Sequence, residues 1–223
     1  MRKLLVKSLA LVLVGLILVS CSPPPPLKSD KYLKDNSLLQ PAPSGCTEPC
    51  FHGITPGVTT FTDAVAKIKA DTAFSDVQTQ DKPPAASWSA ADTKEACCQL
   101  SANPDTGLVN AILVKVAPKM FVKDVMDKYG DPKYVNAVDY SDSEVAVALI
   151  YPEKGVVTWI NPGNKDSKVD STSPVVMVLY IDPKDWSKVL DQATLQAWNG
   201  FLPYAQYKGA TPVVTPRVTA TPQ

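Results

Sequence analysis

Apolar residues recur at helical spacing in two places along the chain. The first set occupies positions i, i+3, i+4 and i+7: Phe61, Ala64, Val65 and Ile68. The second set has the same spacing 61 residues later: Val122, Val125, Met126 and Tyr129. Each set lies on one face of a helix, so two amphipathic helices are predicted. Thr60 is a suitable N-cap for the first helix, and Gly130 with Pro132 ends the second.

Strand-like runs follow each predicted helix. The first helix precedes runs at 77–80, 86–90, 96–101 and 108–116, and the second precedes runs at 134–140, 145–151, 156–160 and 175–181. Turn residues at 103–107 and 153–155 favour antiparallel pairing. From Pro183 the chain is predicted to become helical again. The predicted fold class is therefore α+β: an antiparallel sheet with two short repeated helices packed on one face, plus a C-terminal helical segment.

The two helix-and-strand units are interpreted as a possible tandem repeat, 46–116 and 117–208, within a single domain at 46–208. Asp63 and Asp124 match at the offset of 61, as do Lys67 and Lys128. The alternative is that two unrelated amphipathic helices agree by chance, because few positions match.

The N-terminus has the layout of a secretory signal. A positive region (Arg2, Lys3 and Lys7) precedes an apolar core at 9–19, which is too short for a spanning helix of about 20 residues. The core ends in Leu18-Val19-Ser20-Cys21, which resembles the bacterial lipobox. That resemblance implies a signal peptide at 1–20 and a lipoprotein with diacylglycerol and palmitate on Cys21. An ordinary cleaved signal or a short uncleaved anchor is the alternative.

Two flanking segments have little capacity to form a core. Residues 21–45 are interpreted as a Pro-rich tether, which would reach at most about 80 Å from the membrane. Residues 209–223 alternate Thr, Pro and Val and are predicted to be disordered.

The charge pattern narrows the classes of partner. The chain has 22 basic and 22 acidic residues, and removing the three basic residues of the signal leaves a net charge near −3. This composition argues against nucleic acid binding, which requires a clustered basic surface. Membrane attachment is therefore expected to come from the lipid alone, on the cell membrane or the outer membrane and outside the cytoplasm.

Four further cysteines are expected to form disulfides in that compartment: Cys46, Cys50, Cys97 and Cys98. Four cysteines allow three connectivities, which remain open. A soft-metal site with His52 is the alternative. Adjacent residues on a strand point to opposite faces, which disfavours Cys97 and Cys98 on one ion. No metal or cofactor is predicted.

The sequence does not favour an enzyme. His52 is the only histidine, and an oxidised Cys50 would remove its nearest nucleophile. No Gly-x-Ser-x-Gly elbow is present. The four tryptophans are expected to be core residues, or else to line a carbohydrate or peptide groove: Trp88, Trp159, Trp186 and Trp198.

Two resemblances to known families are present. Pro49-Cys50-Phe51-His52-Gly53-Ile54-Thr55-Pro56-Gly57-Val58-Thr59-Thr60 resembles a group of uncharacterised bacterial lipoproteins. Residues 57–68 and 122–132 resemble the small outer-membrane assembly lipoproteins of the SmpA/OmlA (BamE) kind, and a tandem copy is similar to the β-lactamase-inhibitor-protein fold. The Gly-Asp-Pro corner of that pattern is absent after the first helix.

Together these features predict a lipid-anchored envelope protein that acts as a non-enzymatic protein-interaction or structural module with an envelope protein partner. The alternative is a lipoprotein that binds a small ligand, namely a sugar, a peptide or a metal.

Overall fold

The computed structural model describes residues 25–186 and 195–209. In this part of the chain nine strands form one antiparallel sheet. The strands are β1 Phe74–Asp81, β2 Pro84–Ala90, β3 Ala96–Ala102, β4 Val109–Lys115, β5 Tyr134–Asp139, β6 Val145–Tyr151, β7 Val156–Gly163, β8 Val175–Ile181 and β9 Gln196–Ala197. The fold is thus mostly β, and the antiparallel sheet is confirmed.

The described helices are short. They are α1 Phe61–Ala70, α2 Val122–Tyr129 and α3 Tyr204–Gly209, with 3-10 turns at Ser37–Leu39 and Pro152–Lys154. The predicted N-cap of α1 is confirmed, since the Thr60 side chain accepts a hydrogen bond from the Asp63 backbone N–H. The α2 helix ends at Gly130, whose φ of 77° suits glycine. No helix in the described ranges is long and apolar enough to cross a membrane.

The strand order is mirrored about the centre of the sheet: β1-β2-β3-β4-β8-β7-β6-β5-β9. Each long helix precedes four consecutive strands, and the last strands of the two groups pair with each other. In that central pair Leu113 lies opposite Leu179, and Ile112 lies opposite Tyr180.

The main core lies between the sheet and the two longer helices. The buried residues of α1 and α2 (Ala64, Ile68, Val122 and Val125) share one cluster with alternate residues of the strands, including Ile112, Val114, Val147, Leu149, Val178 and Tyr180. We call this side of the sheet the helix face. The intervening residues of the strands point to the opposite face, as the period of two requires.

The opposite face is covered on only one half. Leu195 is buried there with Ile150, Val157 and Leu179, and Trp186 packs against the same cluster. Leu27 covers Ala146 and Val176 on this face. The half formed by β1 to β4 has no comparable cover from the described residues.

Part of the predicted spacer at 21–45 packs on the sheet, namely residues 27–38, whereas most of residues 40–45 are exposed. Leu27, Tyr32, Leu33 and Leu38 are buried, and Leu33 forms a parallel bridge with Val116. These apolar residues are irregularly spaced, so the sequence offered no periodic signal for their burial. The predicted signal at 1–20 and the lipidation site Cys21 lie outside the described residues, as does the tail beyond Gly209.

The C-terminal helical segment is described only in part. Residues 187–194 lie outside the described ranges. After them, β9 pairs with the start of β5, and the short helix α3 packs near the same strand. The edge at β5 is thus partly covered, whereas no described strand pairs with the outer edge of β1.

Candidate binding surface on the sheet

The uncovered half of the opposite face forms a depression of about 610 Å³. Its outer wall consists of side-chain amides and hydroxyls, and its floor is apolar. The amides belong to Gln78, Gln80 and Gln99, and the hydroxyls include those of Ser87 and Ser101. Leu113 and Leu179 form part of the floor, and Trp159 lies at the inner side.

Strand register explains this arrangement. Gln78, Ser87, Gln99, Leu113 and Leu179 follow one another across β1, β2, β3, β4 and β8 as direct partners. Because partners in register share a face, the five side chains form one row. The row changes from polar at the edge of the sheet to apolar at its centre.

Among the described residues, those that line the depression include no ionisable side chain. Side-chain amides both donate and accept hydrogen bonds, and hydroxyls do the same. Gln80 is held by hydrogen bonds from its Nε2 to the carbonyls of Lys82 and Pro83, at 3.1 and 3.2 Å. Gln78 and Gln99 are exposed. The surface therefore suits a neutral ligand that has both donors and acceptors.

A disulfide between adjacent residues, Cys97 and Cys98, lies beside the depression. Both cysteines line a second hollow of about 480 Å³ that shares Gln99 and Leu113 with the first. Cys98 lies opposite Trp88, and the next pair on the ladder is Ser89 with Ala96, so Cys97 is the extra residue of a β-bulge. The expectation that adjacent strand residues point to opposite faces does not hold at this bulge, which brings the two sulfurs together.

The other disulfide joins Cys46 to Cys50, with 6.0 Å between their Cα atoms. Of the three connectivities left open by the sequence, the structure has the one that links near neighbours. A loop this short contributes about 2 kcal/mol in the chain-entropy account of disulfides. Both cysteines lie in the segment that leads into α1, so this bond constrains the approach to the first helix.

His52 lies between two carboxylates away from the depression. Its Nδ1 is 2.7 Å from Oδ2 of Asp71, and its Nε2 is 3.4 Å from Oδ1 of Asp35. Burial by itself lowers the pKa of His52, but the hydrogen bonds and charges of Asp35 and Asp71 together raise that pKa above its ordinary value. The imidazole also packs on Phe51 and Phe74.

The carboxyl group of Asp35 responds in the opposite direction. Burial favours its neutral form, yet hydrogen bonds from His52 and Ser37 lower the pKa of Asp35 overall. The sequence did not single out Asp35 or Asp71. These residues are 17 and 19 positions from His52, and no local pattern connects them. We call His52 with Asp35 and Asp71 the His52 clamp. It joins the N-terminal segment, residues 25–45, to the end of α1.

The four tryptophans do not form a common groove. Trp88 is buried in the main core and contacts Phe74 edge-on. Trp186 stacks on Tyr134, and Trp198 stacks on Tyr207. Only Trp159 lines the depression.

Within the described ranges, no cluster of three or more His, Cys, Asp or Glu side chains has the geometry to hold a metal ion. All four cysteines of these ranges are in disulfides. The thiolates that a soft-metal site with His52 would require are therefore absent from this structure.

Comparison with protein-family models, with curated proteins and with solved structures gives no match.

Proposed function

We propose that the protein is a lipid-anchored, non-enzymatic module of the cell envelope that binds a segment of a protein partner in the depression on β1 to β4. The observation that carries this proposal is the half-covered face of the sheet. The chain covers one half of that face with its own Leu27, Trp186 and Leu195. The other half is a neutral hollow with an apolar floor.

An extended polypeptide suits this hollow for two reasons. The side-chain amides of Gln78 and Gln99 offer donors and acceptors that match a peptide backbone. The hollow also reaches the edge strand β1, and an exposed edge can accept a further strand through backbone hydrogen bonds. The apolar floor at Leu113 and Leu179 gives a side chain of the partner a place to be buried.

A role without catalysis is supported by the state of the reactive groups. Cys50 is in a disulfide, so it offers no thiol beside His52. His52 is held by two carboxylates and is not part of the depression.

The proposal includes the finer description of the fold. α1 with β1 to β4 and α2 with β5 to β8 are two copies of one repeated unit. The mirrored strand order supports this interpretation, as do Ala64 and Val125, which are both buried and are 61 residues apart.

The proposal predicts a localised effect of charge on partner binding. Gln99→Lys places a cation in the neutral depression, and Gln206→Lys is the matched control on the exposed surface of α3. We expect Gln99→Lys to weaken partner binding by about tenfold or more, which corresponds to about 1.4 kcal/mol. Both variants should keep the unfolding free energy within about 0.5 kcal/mol of the parent.

The measurement uses a photo-reactive residue at position 87 in the depression or at position 205 on α3 of the full-length protein, cross-linked in its native envelope. A discrete protein adduct from position 87 alone, reduced about tenfold by Gln99→Lys and unchanged by Gln206→Lys, supports the proposal. The same adducts from both positions, or an adduct from position 87 that Gln99→Lys leaves unchanged, contradict it.

A second candidate ligand is a neutral saccharide, and one observation favours it. Trp159 is the one aromatic residue among the described residues that line the depression, and the amides and hydroxyls around it can bind sugar hydroxyls. A saturable rise in melting temperature with a neutral oligosaccharide, lost in Trp159→Ala, would replace the protein partner with this ligand.

A further inference from the structure

We infer that the folded unit lies directly on the bilayer, with one particular end of its sheet toward the lipid headgroups. This inference rests on the lipid anchor at Cys21 in the proposed function. The end in question is where β5 ends and β6 begins. We call it the β5–β6 end.

The first described residues are fixed to this end by several contacts. The Tyr140 hydroxyl donates to the carbonyl of Pro25 at 2.7 Å. The backbone N–H of Leu27 donates to Oε2 of Glu144 at 3.2 Å. Glu144 in turn accepts a hydrogen bond from Nδ2 of Asn161 at 3.1 Å. Leu27 itself is buried, so the chain enters the fold at a fixed point.

Chain length then limits the distance to the membrane. Cys21 precedes Pro25 by four residues, which span at most about 14 Å when fully extended. The seven-residue strand β4 is about 23 Å long. The anchored cysteine therefore reaches the β5–β6 end but not the opposite end of the sheet.

The N-terminal segment continues across the same end. The backbone N–H of Leu33 donates to the carbonyl of Lys115, the last residue of β4, at 3.3 Å. The Thr93 hydroxyl, in the turn between β2 and β3, donates to the carbonyl of Lys31. The segment thus runs across the β5–β6 end of the sheet, from the turn after β5 to the turn after β2. The side chains of Lys28 and Lys31 on this segment are exposed.

The β5–β6 end carries charges of both signs and an exposed aromatic ring. Lys28 and Lys31 are exposed, as are the carboxylates of Asp30 and Asp142, so attachment to the bilayer comes from the lipid anchor. Phe121, which precedes α2 and bridges to Pro174 just before β8, is 40% exposed. An exposed aromatic ring at this end suits contact with the interfacial region of the bilayer.

This orientation determines where the depression faces. With the β5–β6 end on the membrane, the strands run away from the bilayer. The sheet face that carries the depression is then roughly perpendicular to the membrane plane. The partner is therefore a protein held at the same membrane surface.

Two exposed apolar residues at opposite ends of the sheet allow a direct test. Phe121 lies at the β5–β6 end. Val58 is 68% exposed and lies at the other end, beside Thr59, which accepts a hydrogen bond from Val109 at the start of β4. Each position receives the photo-reactive residue p-benzoylphenylalanine in the mature acylated protein. The protein is then cross-linked in vesicles of phosphatidylethanolamine and phosphatidylglycerol.

We expect about tenfold more lipid adduct from position 121 than from position 58, because the two ends are about 23 Å apart. Insertion of about 20 Gly and Ser residues after Ser22 adds a flexible linker with a root-mean-square end-to-end distance of roughly 25 Å. That insertion should bring the two yields within about twofold, since either end can then approach the bilayer.

Different results would overturn the fixed orientation and the lipid anchor. Equal yields from positions 121 and 58 in the native-length protein would overturn the fixed orientation and leave a lipid-anchored module in place. A mature protein whose Cys21 carries no acyl group, shown by mass spectrometry, would overturn both the anchor and the orientation.

Discussion

His52 is the residue whose surroundings bear most on the behaviour of the protein in solution. Its φ of 47° is in the left-handed region, which a non-glycine residue seldom occupies. Its ring is held by Asp35 on one side and by Asp71 on the other. One imidazole therefore links the N-terminal segment to the residue that follows α1.

This clamp predicts a stability maximum in mildly acidic solution. The pKa of His52 is raised in the folded state, so the imidazolium stabilises the fold below the ordinary histidine pKa of about 6.5. That contribution is lost as pH rises through the folded pKa. The pKa of Asp35 is lowered, so its contribution is present above about pH 4 and is lost as pH falls through the folded value.

We therefore expect the urea midpoint to be highest between about pH 4 and pH 6.5 and to fall above that range. The measurement compares urea unfolding at mildly acidic and mildly alkaline pH for the parent and for His52→Gln. Since the chain has one histidine, the fall should be absent from His52→Gln. A fall of the same size in that variant would show that another group is responsible.

At the scale of elements, α2 holds the N-terminal segment through Lys128 and through the Tyr129 hydroxyl, which donates to the carbonyl of Leu38 at 3.2 Å. Nζ of Lys128 donates to the carbonyls of Leu38 and Gln40, at 2.8 and 2.9 Å. It also lies 2.9 Å from Oε1 of Glu48. The matching lysine of α1, Lys67, donates to the carbonyl of Gly53 at 2.8 Å. Both lysines therefore connect a helix to the chain before α1.

These contacts predict unequal effects for two lysines of the same helix. Lys128→Met removes two charge-assisted hydrogen bonds to backbone carbonyls, and the Leu38 carbonyl then keeps only the hydrogen bond from the Tyr129 hydroxyl. This loss should cost about 1–3 kcal/mol of unfolding free energy. Lys123→Met removes only an exposed pair with Asp127 and should cost less than about 1 kcal/mol. The comparison uses the midpoints of urea unfolding of the two variants at an unchanged m value. Equal costs would show that the helix does not hold the segment.

At the scale of the whole molecule, the central pair β4 and β8 joins the two halves of the sheet. Cα partners run from Ala111 with Ile181 to Lys115 with Met177. The residues of both strands contribute to the main core. A half of the molecule would therefore expose a long apolar edge in place of this pair.

We predict that the chain at 21–116 does not fold alone, whereas the chain at 21–209 unfolds in one cooperative transition. The fragment lacks β8, and its Ile112 and Val114 lose the side chains that bury them. Near-ultraviolet circular dichroism and amide proton dispersion provide the measurement. A fragment with native dispersion would show that the first half is an independent unit.

The sequence by itself determined the elements with regular local patterns. The predicted bounds of β6 and β8 match the structure, because alternating or continuous apolar runs with turn residues at their ends define them locally. The start of β1 was predicted late, at residue 77. A bulge lies between Ser75 and Gln78, and Asp76 within it has a φ of 54°, so the alternation is interrupted there.

Only the tertiary structure decided the features that depend on residues far apart in the chain. The burial of Leu27 and Leu33, the contacts of His52 with its two carboxylates, and the disulfide at the β3 bulge leave no periodic trace in the sequence. The depression has the same origin, since five strands must pair in register before Gln78 and Leu179 lie in one row. Local propensity acts over a few residues, whereas these contacts form only when distant segments pack on the sheet.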